Sequence, residues 1–267
     1  MVSWHGPVWA GSDNTGEADN MKKLVAFVMC AAMLLCMGAA MAEDYAIATD
    51  TTFRPFEYTD ESGALVGIDM EILAAVAADQ GFTYTVEAMG WDGSIAACQA
   101  GQKDGMIAAA SITEERKADG WIFSDGYFTA TQSMAIAQDT PIAGFEDLKG
   151  HTVAVKAETL SMDYAESLAE QYGFNVKTYG STLAVFMAVT GGECAACFED
   201  TPVIEDYIRN GGVFLQLVEG TANEGADYGF VVFSSDRQEL VDRFNAGLAN
   251  IKANGAYDEI LNRYMGE

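Results

Sequence analysis

The sequence predicts an α/β protein built as two lobes that two crossing strands join. Three observations carry this prediction. Short apolar runs alternate with segments whose apolar residues recur at helical spacing, and the alternation completes a β-α-β-α-β unit at Ser111. Residues 132–137 then cross to a second unit with the same rhythm, which runs to about residue 217. Residues 228–233 then read as a return crossing, followed by two closing helices. The expected organisation is therefore residues 43–130 with 228–267 as lobe 1 and residues 131–227 as lobe 2.

In chain order, residues 45–49 form a short strand that opens onto a loop through Pro55 and a turn at Asp60-Glu61-Ser62-Gly63. Ile68, Ile72, Leu73 and Val76 mark a helix closed near Gly81. Residues 82–88 alternate as a strand does, and Trp91 opens a helix running through Ile95 and Cys98 to Gly101. The apolar run 106–110 is a buried strand. In the second unit, strands are expected at residues 152–155, 176–179, 195–198 and 213–217. Helices are expected at 162–171, 183–189 and 201–209. Leu240, Val241, Phe244, Leu248 and Ile251 give an amphipathic helix ended by Asn254-Gly255, and residues 257–264 a last one.

Ligands of open α/β sheets bind outside the carboxyl ends of the strands, where strand order reverses. Here those ends carry Asp50, Ser111, Lys156 and Asp200, all polar residues directly after apolar strands. The coincidence points to a ligand site between the lobes. Singly, each has a plainer explanation: Asp50 and Ser111 as caps of a turn or helix, and Asp200 as the N-cap before Thr201-Pro202.

The chain has 267 residues, half of them apolar, enough for one or two domains with real cores. A net charge of −26 disfavours nucleic acid and anionic membrane surfaces as partners. Lys22 and Lys23, an apolar run over residues 24–37 and the site Ala40-Met41-Ala42 have the layout of a signal peptide over residues 21–42. Cleavage leaves Glu43 first, and the polar residues 1–20 point to Met21 as the initiator, with residues 1–20 an untranslated or disordered extension. An uncleaved anchor helix is the alternative. No second apolar span of membrane length follows, so an exported protein is expected. Of five cysteines, Cys98, Cys194 and Cys197 remain after cleavage. Cys194-Ala-Ala-Cys197 has a redox or metal spacing, but it opens a buried strand with no second pair or histidine beside it, which favours a core role over a strained disulfide. No metal cluster, phosphate loop or nucleophile elbow is visible, and no cofactor is expected.

The stretch 108–125 is the most informative. Thr113 followed by Glu114 and Glu115 reads as an N-cap with an acidic first turn, and Arg116 sits in that turn against the helix dipole. Either the glutamates merely offset it on a solvated turn, or it serves an anion, for which its planar fork suits a carboxylate. Ser-Ile-Thr-Glu-Glu-Arg-Lys followed by Phe-Ser-Asp-Gly-Tyr resembles the signature of the family 3 extracellular solute-binding proteins, the polar amino-acid receptors of ABC importers. The resemblance extends from about Tyr45 to the C-terminus. It implies a type II-like periplasmic-binding-protein clamp, a permease partner and a monomeric, extracytoplasmic receptor.

The resemblance further implies that Arg116 clamps the α-carboxylate of the ligand, supported by Ser111, and that Asp200 of Phe-Glu-Asp-Thr-Pro holds the α-ammonium. Phe53 and Trp91 match aromatics that sandwich the ligand, and Asp50 and Lys156 match positions that read its side chain. Ala109, Leu160 and Glu199 complete the expected site. Ala109 stands where glycine or serine is common, Glu158 and Leu160 where glycine is frequent, and Arg54 where an apolar residue is usual, so specificity does not carry over. With Arg116 and Asp200 committed, Asp50, Glu158 and Glu199 face Lys156 and Arg54, a balance tilting slightly to a neutral polar or cationic ligand side chain. Two other classes compete: a dehydratase on the same fold using Glu158 or Glu199, and a receptor's sensing module. His151 is the only histidine after residue 42, which leaves little for the enzyme.

Overall fold

The computed structural model describes residues 44–266 apart from Gly211. The expected signal peptide, its cleavage point before Glu43 and the choice between Met1 and Met21 lie outside the described residues.

Two five-strand paths organise the chain. The first sheet takes β1 (Asp44–Thr49), β5 (Thr83–Ala88), β6 (Gly105–Ser111), β7 (Ile122–Phe123) and β14 (Ala226–Val232) in the order β5-β1-β6-β14-β7, with β8 (Phe128–Ala130) also paired to β14. β1 runs parallel to β5 and β6, whereas β14 enters antiparallel. The second sheet takes β9 (Gln132–Ala137), β10 (Thr152–Lys156), β11 (Asn175–Tyr179), β12 (Ala196–Asp200) and β13 (Leu215–Leu217) in the order β11-β10-β12-β9-β13. Here too the three strands of the βαβ units are parallel, and β9 is antiparallel to β12. The central strands β6 and β12 are buried along their whole length, as strands covered on both faces must be.

In each sheet the chain moves from a central strand to one neighbour and then to the other. The order therefore reverses between β1 and β6, and again between β10 and β12. Those four strands end at the four polar residues singled out above, with Asp50 directly after β1. The expected crossings do exist, and they pair with one another: Ala130 lies opposite Ala226 and Phe128 opposite Tyr228. Residues 132–137, expected as part of the crossing, are instead β9, an integral strand of the second sheet.

The helices follow the apolar spacing closely. They are α1 (Ile68–Gln80), α2 (Trp91–Gln99), α3 (Glu114–Ala118), α4 (Leu160–Tyr172), α5 (Thr182–Thr190), α6 (Thr201–Asn210), α7 (Gln238–Ala253) and α8 (Ala256–Met265). Gly81 ends α1 in the left-handed conformation with its N–H on Ala77 O. The loop expected around Pro55 is a small antiparallel sheet, β2 (Thr52–Phe53), β3 (Glu57–Thr59) and β4 (Leu65–Val66). Two-residue strands leave too little alternation to be seen in a sequence. This sheet also starts α1: Ile68 N–H donates to Pro55 O and Asp69 N–H to Phe56 O, in place of a side-chain cap. The approach requires Gly67, at φ 132°, because a Cβ there would lie 2.0 Å from Phe56 O.

Cys98, Cys194 and Cys197 are buried free thiols, in line with the core role expected for them. Burial pushes the Cys98 thiol up to about 12.

Candidate functional site between the two sheets

A cleft with about 300 Å³ of empty space, open solvent at its mouth included, lies between the strand ends. The first sheet and its loops contribute Phe53, Trp91, Ala109, Ser111 and Arg116; the second contributes Lys156, Leu160, Glu199 and Asp200. These are all of the expected site residues except Asp50, which stands behind the wall, ion-paired to Lys156. Ala108 and Thr159 also line the cavity and were missed. As immediate neighbours of Ala109 and Leu160 they carried no separate signal.

Arg116 is placed by its helix start. Thr113 caps α3, its hydroxyl accepting from the Arg116 N–H at 3.1 Å. The guanidinium folds back so that Nη1 donates to Ser111 O at 2.9 Å, and Nη2 reaches Glu158 O of the second lobe at 3.0 Å. It lies 5.3 Å from the Trp91 ring centre and 5.0 Å from that of Trp121. Two of its five N–H donors are thus occupied, and three remain. Burial lowers its pKa against the pull of nearby carboxylates, but an arginine stays charged.

Asp200 ends β12 and directly precedes α6. Its Oδ1 accepts from Gln132 Nε2 at 2.7 Å and from Ser161 Oγ at 3.2 Å, and its Oδ2 accepts from the Tyr228 hydroxyl. Burial raises its pKa, while the bonds from Tyr228, Gln132 and Ser161 pull it down. A carboxylate has about four acceptor positions, so one remains on Oδ2. Beside it, Glu199 accepts from Thr182 Oγ1 at 2.9 Å and from the Asp200 N–H at 3.0 Å. Burial and the adjacent Asp200 push Glu199 up to about 7, against the pull of Lys156.

Lys156 crosses the cleft. Its ammonium pairs with Asp50 of the opposite sheet and stands 5.0 Å from the Phe53 ring centre and 5.4 Å from that of Trp91. Burial alone would lower its pKa, but Asp50, Glu199 and Glu57 outweigh burial and hold it above the ordinary lysine value.

Two positions noted as departures carry backbone strain. Ala109 has φ 46° and Glu158 φ 58°, both left-handed without being glycine. At Glu158 the turned backbone presents a carbonyl that accepts from both Arg116 and Trp91 Nε1, the latter at 3.1 Å. Its own side chain is exposed, so the carboxylate does not enter the cavity balance. Arg54 also falls outside that balance: it pairs with Asp206 at 2.9 Å and lies over the Tyr58 ring. The expected slight tilt towards a neutral polar or cationic ligand side chain counted both residues; without them Asp50 and Glu199 still face Lys156, and the balance is the same.

Residues 45–267 match the family model for bacterial extracellular solute-binding proteins, family 3. The chain belongs to that family. The arginine-binding periplasmic protein of Mannheimia haemolytica is 31% identical over 233 residues, covering 86% of this chain and 94% of the relative. The arginine-, lysine-, histidine-binding protein ArtJ of Geobacillus stearothermophilus superposes with a TM-score of 0.77 at 30% identity, covering 84% of this chain and 96% of that one. An ancestral arginine-binding protein bound to glutamine gives 0.76 at 32% identity, over 85% of this chain and all of the other. These matches establish the two-lobe architecture for family 3 and for this chain.

Proposed function

We propose that this protein captures an α-amino acid between its two lobes outside the cytoplasm and presents it, as a monomer, to the permease of an ABC importer. The observation that carries the proposal is the opposition of Arg116 and Asp200. One cation from the first sheet and one anion from the second line the same cavity, each with hydrogen-bonding capacity left over. That pair suits the carboxylate and ammonium of a zwitterion. Phe53 and Trp91 give the cavity its apolar walls. The relatives support the same reading, because they are named as binding proteins for amino acids, and one of them as an ABC transporter component.

A thermal-shift screen of the exported form against the twenty amino acids tests this. A ligand at 100 times its Kd stabilises the fold by about 2.7 kcal/mol. Arg116→Ala should reduce the response sharply at the same ligand concentration. Stabilisation by no amino acid, in a folded sample, refutes the proposal.

A further inference from the structure

The two lobes also touch at a place that is not part of the ligand cavity. Arg54, between β2 and β3, donates through Nε to Asp206 on α6 at 2.9 Å. One residue further along α6, the Tyr207 hydroxyl donates to Thr52 O at 2.9 Å. None of these four residues lines the cavity. We propose that Arg54, Asp206 and Tyr207 form a closure latch, which holds the lobes together over a bound amino acid and slows its release without reading which amino acid it is. This inference rests on the amino-acid receptor proposed above and adds a determinant of its affinity. The ion pair is particular to this chain, because Arg54 is one of the departures from the family pattern noted in its sequence.

Each half of the latch is set in place by its own lobe. The Arg54 guanidinium lies over the Tyr58 ring of β3, 4.4 Å from its centre. On the other side, Asp206 Oδ1 accepts from Asn210 Nδ2 at 2.9 Å, one turn further along α6. The Tyr207 ring packs edge-on against Phe186 of α5, with ring centres 4.9 Å apart. Little side-chain freedom is left to lose when the halves meet. Asp206 is 2% exposed, so its carboxylate needs the cation that the opposite lobe supplies. The position on α6 makes the contact sensitive to opening. That helix starts beside the crossing strands, where the Thr201 N–H donates to Thr131 O at 2.8 Å. Residue 206 lies about 8 Å along the axis from there, so rotation about the crossings moves it away from Arg54. A hydrogen bond does not survive a displacement of about 1 Å or more. The latch is therefore made on closure and broken on opening, which places its effect on release and not on association.

The test is stopped-flow binding of whichever of the twenty amino acids stabilise the protein in the screen above. It compares the wild type with Arg54→Leu, Asp206→Asn, Tyr207→Phe and the Arg54→Leu/Asp206→Asn double variant. Asp206→Asn keeps the contact to Asn210, and Tyr207→Phe keeps the ring against Phe186, so both preserve the packing of α6. Arg54→Leu and Asp206→Asn should each speed release by about fivefold or more, and Tyr207→Phe by about threefold, with association changed by less than about twofold. The factor should be the same for every ligand. The double variant should release no faster than the worse single one, because the two residues act as a pair. Added sodium chloride should speed release from the wild type more than from Arg54→Leu. Release within about twofold of wild type in both Arg54→Leu and Asp206→Asn overturns the latch and leaves the receptor proposal standing. Losses that differ between ligands by more than about fivefold overturn it equally, since they would place these residues in ligand recognition. Stabilisation of folded wild type by no amino acid sinks the receptor proposal itself.

Discussion

Behind the cavity wall of the first lobe, Glu57 and Asp69 form a buried carboxyl pair with a measurable consequence. Both are fully buried, and the charge of Asp69 is among the causes that raise Glu57. Asp69 Oδ2 accepts from the Ala109 N–H at 2.9 Å and the Tyr127 hydroxyl at 2.8 Å, whereas Glu57 Oε1 and Oε2 and Asp69 Oδ1 meet no ordinary donor. A proton kept on Glu57 and donated to Asp69 Oδ1 would satisfy two of these three atoms. Burial, Asp69 and Asp50 push Glu57 well above its ordinary 4.5, against the pull of Lys156, and burial brings Asp69 to about 6. The folded state therefore binds protons that the unfolded state has released, and stability must fall as pH rises above 4.5. For as long as folded Glu57 keeps its proton, the loss is about 1.4 kcal/mol per pH unit.

Glu57→Gln removes the need for that proton while keeping a donor to Asp69. Its stability relative to wild type should rise as pH climbs above 4.5, by at most about 1.4 kcal/mol per pH unit. Urea denaturation of both proteins through this range measures the difference directly, and groups common to both cancel. A difference that stays constant from pH 4 to 8 would mean that no extra proton is held, and the argument fails.

Other tests reach different parts of the molecule. Arg116→Ala and Asp200→Ala should each weaken amino-acid binding by about 2–5 kcal/mol, thirtyfold or more, and Arg116→Lys should also be costly. Affinity within twofold of wild type in either alanine variant refutes the zwitterion clamp. Gly67→Ala should destabilise by about 2–4 kcal/mol, since the new Cβ meets Phe56 O at 2.0 Å; a melting temperature unchanged by this substitution contradicts the tight α1 start. Small-angle scattering should show contraction when a binding amino acid is added, because only the paired segments at Phe128–Ala130 and Ala226–Tyr228 join the two sheets covalently. An equal radius with and without saturating ligand counts against hinge closure.

Much of the site was legible because its residues sit at strand ends, where a polar residue after an apolar run stands out. Asp50, Ser111, Lys156 and Asp200 were found in that way, whereas Arg116 stood out as a cation in the first turn of a helix, and the family signature strengthened both. What lay hidden was pairing across long separations. Asp50 and Lys156 are 106 positions apart, and Asp200 finds Gln132 68 positions away. Nothing local in the sequence says that Lys156 is committed to Asp50, or that Arg54 turns away to Asp206. Glu158 misled for another reason. Its side chain suggests a charge in the cleft, but the left-handed backbone makes its carbonyl the functional group and sends the carboxylate to solvent. The small β2–β4 sheet was read as loop because strands of two or three residues have no period to detect.

The position of β14 bears on the order of assembly. This strand lies in the interior of the first sheet, between β6 and β7, yet its residues, 226–232, come after every strand of the second sheet. A chain emerging from its N-terminus thus carries β6 with one edge open until the intervening β9–β13 segment has passed. The second sheet is made from one uninterrupted stretch and can close first; the first must wait for its late partner, with the long-range closure that slows folding. Pulse-labelled hydrogen exchange should accordingly protect β10 and β12 before β1 and β6, and the reverse order would contradict it. Half of the architecture thus stays unfinished until the residues from Ala226 onward are there to pair.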